Sequence, residues 1–410
     1  MERLQPKLRF KEFKDEWFYT ELQRLSNKIG DGLHGTPEYV DNSDIIFING
    51  NNLINGRIKF FESSKKVNIN TFKKNDKNLN HNSILISLNG TIGSVAKYNG
   101  EKVMLSKSVG YINFTENAEL FFHLLRTNKI QRSFESNLTG STIKNLSLKT
   151  LRETKIIIPT SKEEQAKIAN FLTSVDEKLN LLIQKKEALE EYKKGMMQKI
   201  FSQEIRFKDE NGEDFEEWEE KRLGEVGDTY NGLSGKSKDD FVQGKPYIQY
   251  KQIFDDSKID ISRFQYVSIK ENDKQNKVKF GDAFFTVSSE TPNEIGTASV
   301  LLDNVDDLYL NSFCFGYRAN SMEQLNPYFS RFLFRSPLFR TEIVKLAQGS
   351  TRFNMSKIQL LKIKVLLPSR QEQIKIATFL SAIDEKIELV STQIEETKEY
   401  KKGLLQGMFC

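Results

Sequence analysis

Glu164-Gln-Ala-Lys-Ile-Ala-Asn-Phe-Leu172 and Glu372-Gln-Ile-Lys-Ile-Ala-Thr-Phe-Leu380 are nearly the same nine residues, 208 positions apart. The same offset pairs Val175-Asp-Glu-Lys178 with Ile383-Asp-Glu-Lys386, and Glu191-Tyr-Lys-Lys-Gly195 with Glu399-Tyr-Lys-Lys-Gly403. Just upstream, Gly140-Ser-Thr142 matches Gly349-Ser-Thr351, and Asn145, Ser147, Leu151 and Pro159 match Asn354, Ser356, Leu360 and Pro368. Leu8-Arg-Phe-Lys11 is echoed by Ile205-Arg-Phe-Lys208, and Trp17 by Trp218. Matches in fixed order along a whole chain are the signature of internal duplication. The 410 residues therefore divide into two globular regions, 1–160 and 202–368, each followed by a long helix, 161–201 and 369–410. The middles of the globular regions diverge while their edges agree, as expected of one scaffold carrying two specificities.

Each long helix announces its start. Ser161 and Ser369 stand three residues before Glu164 and Glu372, the spacing of a capping box. Ile168, Leu172, Val175, Leu179 and Leu182 recur at spacings of three to four, with Leu189 one heptad further on, and Ile376, Leu380, Ile383, Ile387, Val390 and Ile394 recur at three to four throughout. Such a seam predicts a coiled coil between the two helices, whose register and length match. The competing arrangement packs each amphipathic helix on its own globular region. Forty residues at about 1.5 Å each make a rod of roughly 60 Å. In the globular regions, Asn82–Leu88 and Asp282–Ser288 predict equivalent buried strands, each leading to a polar loop that ends in Ile-Gly. Shorter helices are expected over about 118–136 and about 327–345.

Composition narrows the function classes. Hydrophobic residues make up 38% and charged residues 29%, and mean hydropathy is −0.53, a balance typical of globular chains. No apolar run suits a membrane span and no secretory signal opens the chain, so a cytoplasmic location is expected. Two cysteines, Cys314 and Cys410, and three scattered histidines, His34, His81 and His123, predict neither a disulfide framework nor a metal site. Net charge is +5, unevenly spread: residues 1–160 carry 24 Lys/Arg against 16 Asp/Glu, whereas residues 202–368 carry 23 against 26. A polyanion partner fits the first balance.

Catalytic motifs are weak. Asn326-Pro-Tyr-Phe329 resembles the Asn-Pro-Pro-Tyr/Phe tetrapeptide of amino-methyltransferases but lacks the second proline. It aligns with Asn117-Ala-Glu-Leu120, so helix capping by Asn117 and Asn326 accounts for both. The acidic pairs Asp239-Asp240, Asp255-Asp256 and Asp306-Asp307 have no counterparts in the first half and read as solvated loops. There is no Walker loop for ATP.

Binding candidates are better supported. Lys73 and Lys74, within a basic stretch from Arg57 to Lys77, suit phosphate contacts. Gly140-Ser141-Thr142-Ile-Lys144-Asn and Gly349-Ser350-Thr351-Arg352-Phe-Asn offer amides, hydroxyls and one cation each in a loop. Asn89 and Thr91 in one half, and Ser289, Glu290 and Thr291 in the other, lie in divergent loops after matching strands and are candidates to lie near bases.

Taken together, the duplication, the Gly-Ser-Thr…Asn-x-Ser segments, the Pro…Glu-Gln-x-x-Ile-Ala-x-Phe-Leu helix starts and the Asp-Glu-Lys…Tyr-Lys-Lys-Gly helices resemble the specificity subunit of type I restriction–modification enzymes over essentially the whole chain. The resemblance implies an α+β fold: two β-rich target-recognition domains separated by two long antiparallel coiled-coil helices, in a pseudo-twofold internal repeat. It implies a non-catalytic, DNA-binding subunit whose domains each read half of a bipartite, asymmetric site in double-stranded DNA while the helices set the spacer. Two modification subunits, carrying S-adenosylmethionine and directing adenine-N6 methylation, would dock on the helices, and two motor-nuclease restriction subunits, using ATP and Mg, would complete the complex. The chain itself would hold no cofactor. A reading from a different class is a coiled-coil scaffold whose domains bind proteins.

Overall fold

The computed structural model describes residues 5–140 and 144–410. They form two compact units, Met1–Gln184 with Thr392–Cys410, and Lys185–Ser391. Packing thus divides the chain differently from the repeat: each unit takes one globular region and part of both long helices, Lys162–Phe201 and Arg370–Met408.

The duplication is visible in topology. The first globular region centres on an antiparallel sheet in the order Ser26–Asp31, Val109–Phe114, Ser83–Ser87, Val95–Lys97. The second repeats it as Gly227–Asn231, Cys314–Ala319, Ala283–Thr286, Ala298–Val300. In each, a parallel pair lies alongside, Ile46–Ile48 with Val103–Leu105 and Lys245–Ile248 with Tyr309–Leu310. In each, a ribbon ties the region's first strand to its last, Trp17–Glu21 with Lys155–Pro159 and Glu219–Arg222 with Lys364–Leu367. The expected strands are the central ones, and all five residues of Ser83–Ser87 are buried.

Within each unit the segments of the two long helices run antiparallel. In the first, Arg9 binds Glu164 near the start of one helix while Leu8 donates to the Gly407 carbonyl (2.7 Å) near the end of the other; further along, Asp176 meets Lys401. In the second, Arg206 binds Glu372 and Lys193 meets Asp384. The apolar seam is spent inside the units. Ile168, Leu172 and Val175 share a buried cluster with Trp17, Phe121 and Leu404, and Ile376, Leu380 and Ile383 share one with Met197, Phe329 and Phe332. Val390 is also buried, and Leu179, Leu182 and Ile387 are half-buried. The seam residues therefore join helix to helix and helix to globular region, and their buried members are covered within their own unit. Each fully buried leucine, Leu172 or Leu380, stabilises its unit by about 1.5–3 kcal/mol.

Three local expectations change. The capping serines act, since Glu164 and Glu372 donate their backbone amides to the hydroxyls of Ser161 and Ser369 (3.2 and 3.4 Å), but the glutamate carboxylates turn to an arginine and a tryptophan instead of closing the box. Each shorter helix is two helices. Ala118–Leu125 and Asn128–Ser136 break at Thr127, which caps the second, and Pro327–Leu333 and Pro337–Lys345 break at Ser336-Pro337. Asn326 caps through its side chain, whereas Asn117 takes a left-handed conformation (φ 57°) and donates its amide to Gln165 (2.8 Å).

Candidate nucleic-acid interface

The strand–loop pairs singled out above come together in both domains. In the second, Ser288–Ser289 pairs antiparallel with Phe353–Asn354, and the Met355 amide donates to the Val287 carbonyl (2.9 Å). The loop after the central strand and the Gly349-Ser350-Thr351-Arg352 loop are thus joined at one end of the sheet. Gln348 and Asn354 exchange two backbone hydrogen bonds (3.0 and 2.8 Å) across the base of the second loop. Gly349 has φ 133°, and a Cβ there would stand 2.1 Å from the Arg352 carbonyl oxygen, so the tight turn requires glycine. Ser350, Thr351 and Arg352 are exposed at its tip. Thr291 is exposed too, but Ser289 is buried: its hydroxyl donates to Glu294 (3.0 Å) and accepts from the Thr291 amide (3.2 Å), which fixes the loop's shape.

The first domain repeats the arrangement with other residues. The Leu146 amide donates to the Leu88 carbonyl (2.7 Å), and Thr139 and Asn145 exchange two backbone bonds of 2.9 Å. Asn89 and Thr91 therefore neighbour the loop bearing Lys144, which is exposed; Ser141 and Thr142 lie outside the described residues. The Thr91 hydroxyl donates to the Gly50 carbonyl (3.0 Å) and brings in the turn Gly50–Asn52, which sequence reading passed over. Ser108 joins it, its hydroxyl accepting from the Gly50 amide (3.1 Å). Lys73 and Lys74 are exposed in the last turn of a short helix, Ile69–Lys74, whose Phe72 packs on Ile45, Val67 and Met104.

Three aromatic side chains were also missed. Tyr250, Phe254 and Phe313 line a cleft of about 450 Å³ with Ser289, Glu290, Glu294 and Arg352. Phe313 sits in the turn just before the strand Cys314–Ala319, whose first four residues are all buried, and is itself 61% exposed.

Elsewhere the ionisable groups serve structure. Asp307 lies between Lys245 and Lys277, which hold its carboxyl down to about 2. Asp255 binds Arg263 (2.8 Å), and Asp240 accepts from the Ser237 amide (2.8 Å). Among the described residues no group of three or more His, Cys, Asp or Glu side chains is placed to hold a metal ion, and no helix is long and apolar enough to cross a membrane. His123 is buried with Nδ1 unpartnered, 3.9 Å from the Asp176 carboxylate, and burial pushes its imidazole down to about 3. Its Nε2 lies 3.1 Å from the Thr173 hydroxyl, so the ring is hydrogen-bonded on one side only.

Comparison with known proteins agrees with this architecture. The family model described as the type I restriction modification DNA specificity domain matches twice, over residues 17–191 and 215–399. The chain is 28% identical over 352 residues to the type I restriction enzyme MjaVIII specificity subunit of Methanocaldococcus jannaschii, covering 80% of this chain and 78% of that one. It is 31% identical over 210 residues to the putative MjaX specificity subunit of the same organism, covering 49% and 48%. In fold it resembles the crystal structure of the type I restriction–modification S subunit from M. genitalium, with a TM-score of 0.59 at 17% identity over 99% of both chains. With two tandem matches spanning most of its length, the chain belongs to the type I restriction–modification DNA specificity family.

Proposed function

We propose that each globular domain reads one half of a bipartite, asymmetric DNA site, and that the paired long helices set the unread spacer and dock the methyltransferase subunits. In this reading the chain is non-catalytic. It directs adenine-N6 methylation by two modification subunits, which bring S-adenosylmethionine, or restriction by two motor-nuclease subunits, which bring ATP and Mg. The observation that carries it is the pair of joined loops at the sheet end of each domain, built on the same backbone scaffold but bearing different side chains. A shared scaffold with divergent tips suits two half-sites of different sequence, since the major groove shows each base pair as a distinct pattern of donors, acceptors and methyl groups. The excess of lysine and arginine in residues 1–160 supports a larger phosphate contribution from the first domain.

Leu181 and Leu389, and Tyr192 and Tyr400, support the docking part of the reading. They are 65%, 59%, 51% and 55% exposed on the long helices, and both pairs are related by the 208-residue repeat. Two equivalent apolar positions on each helix suit two copies of one partner. Selection from a random duplex library by the purified complex with its modification subunits tests the proposal. Enrichment of two defined half-sites at one spacing is expected; enrichment of a single contiguous site, or of none, would refute it.

A further inference from the structure

We infer that the aromatic cleft at the tip of the second globular domain reads a base edge, with Glu290 accepting a hydrogen bond from the exocyclic amino group of a cytosine or an adenine in the major groove. The inference rests on the reading above, that this domain engages duplex DNA.

The walls of the cleft are built to stay open. The Tyr250 hydroxyl donates to the Ser288 carbonyl (2.7 Å), which anchors that ring. The Phe313 amide donates to the Asn311 side chain (2.8 Å), in the turn that leaves its ring outward, and Phe254 is 36% exposed. Large aromatic rings held at the surface around a concavity offer a water-excluding rim.

Two charged groups line this cleft without partners. Glu294 is engaged by Ser289, but the exposed side chains of Glu290 and Arg352 make no hydrogen bond or ion pair with each other or with any other described residue. A carboxylate brought to DNA is repelled by every phosphate, so its favourable partner is a donor on a base edge. In the major groove the donors are cytosine N4 and adenine N6, while guanine and thymine present acceptors at the corresponding edge. Arg352 has the complementary chemistry, a planar donor fork for guanine O6 and N7. Aromatic walls lower the local dielectric and strengthen such bonds. The equivalent loop of the first domain, Asn89–Gly93, contains no carboxylate, so the two domains bring different recognition chemistry to the same place in the fold.

The test maps adenine methylation in cells expressing the full chain with its modification subunits, comparing the parent with Glu290→Ala and Phe313→Ala. Both side chains are exposed, so neither substitution removes core packing. Glu290→Ala is expected to lose preference roughly tenfold at one position of one half-site, where the parent demands an amino base on a given strand and the variant also accepts a keto base. The other half-site and the spacer stay unchanged, and Phe313→Ala relaxes the same position. Whether the parent has cytosine or adenine there identifies the amine. A Glu290→Ala motif identical to the parent's, or a uniform fall at all sites, overturns the inference while leaving the functional reading intact. A parent that marks no two-part motif overturns both.

Discussion

Lys193 and Asp384 meet at 2.5 Å, and the same contact recurs as Lys401 with Asp176, each residue shifted by 208. One helix-to-helix ion pair is thus used once in each unit, with the helices exchanging roles. Each aspartate also takes an arginine from its own globular domain, Arg331 at 2.5 Å and Arg126 at 3.2 Å. The arginines come from different turns of equivalent helices, so the charge pattern is kept although the sequence alignment is not. Asp384→Asn would leave Arg331 and Lys193, 10% and 23% exposed, facing a neutral amide. A loss of about 2–3 kcal/mol is expected, below the fully buried range because water reaches the site. Urea denaturation of the single variant and of Asp384→Asn with Lys193→Met would check it, the double variant recovering part of the loss.

His123 sets a pH dependence confined to the first unit. Its imidazole is lowered to about 3 by burial, and the Lys401, Arg126 and Lys97 charges push the same way against Asp176. Unfolded, it titrates near its ordinary 6.5. Below that value the unfolded chain takes up a proton that the folded chain refuses, so stability falls with pH between 6.5 and about 3, by up to about 1.4 kcal/mol per unit. Asp176 adds to the acid side of this. Burial opposes its ionisation, but Lys401 and Arg126 hold its carboxyl below the ordinary range, and that contribution is lost as pH falls through the folded value. Lys401 is itself pushed down by burial yet still pairs with Asp176 as a cation. In the second unit Phe332 occupies the aligned position. His123→Phe is expected to flatten the slope between pH 6 and 4 without loss at pH 7, as read by denaturation midpoints across that range.

Glu164 accepts Arg9 through two bonds (2.7 and 2.8 Å) and lies 3.4 Å from Trp17 Nε1; Glu372 does the same for Arg206 (3.3 and 2.9 Å) and Trp218 (3.0 Å). Both carboxylates are fully buried. Each clamps the opening segment of its globular domain onto the start of a long helix. Glu164→Ala or Glu372→Ala is expected to cost about 3–5 kcal/mol, since an arginine and an indole N–H lose their buried acceptor. Limited proteolysis near residues 10–16 or 207–217 would report the loosened segment.

Leu181→Lys with Leu389→Lys is expected to leave thermal stability within about 0.5 kcal/mol, as exposed positions do, while weakening modification-subunit binding at least tenfold. Calorimetry of the purified chain with that subunit distinguishes the two effects. Equal binding by parent and variant would remove these leucines from the docking surface.

Much of this was legible in the sequence, for stated reasons. Helix starts were readable because Ser161 and Ser369 must satisfy backbone amides locally, and Asn82–Leu88 and Asp282–Ser288 because buried central strands run apolar. The fate of the apolar seam was not, because periodicity shows that Ile168 or Ile376 is buried but not against what. Nor could spacing show that Glu164 abandons its capping box, since Arg9 lies 155 residues away. The loops of the candidate site were found through the repeat itself. Their neighbours, the turn Gly50–Asn52 and the cleft residues Tyr250, Phe254 and Phe313, come from distant parts of the chain and carry no local pattern.

The most direct measurement of the central claim, that one chain gives a modification complex two different half-site readings, is adenine-methylation mapping in cells expressing this chain with its modification subunit. A single motif of two unlike halves at one fixed spacing is expected. Methylation at a contiguous or palindromic motif, or at half-sites with variable spacing, would contradict it.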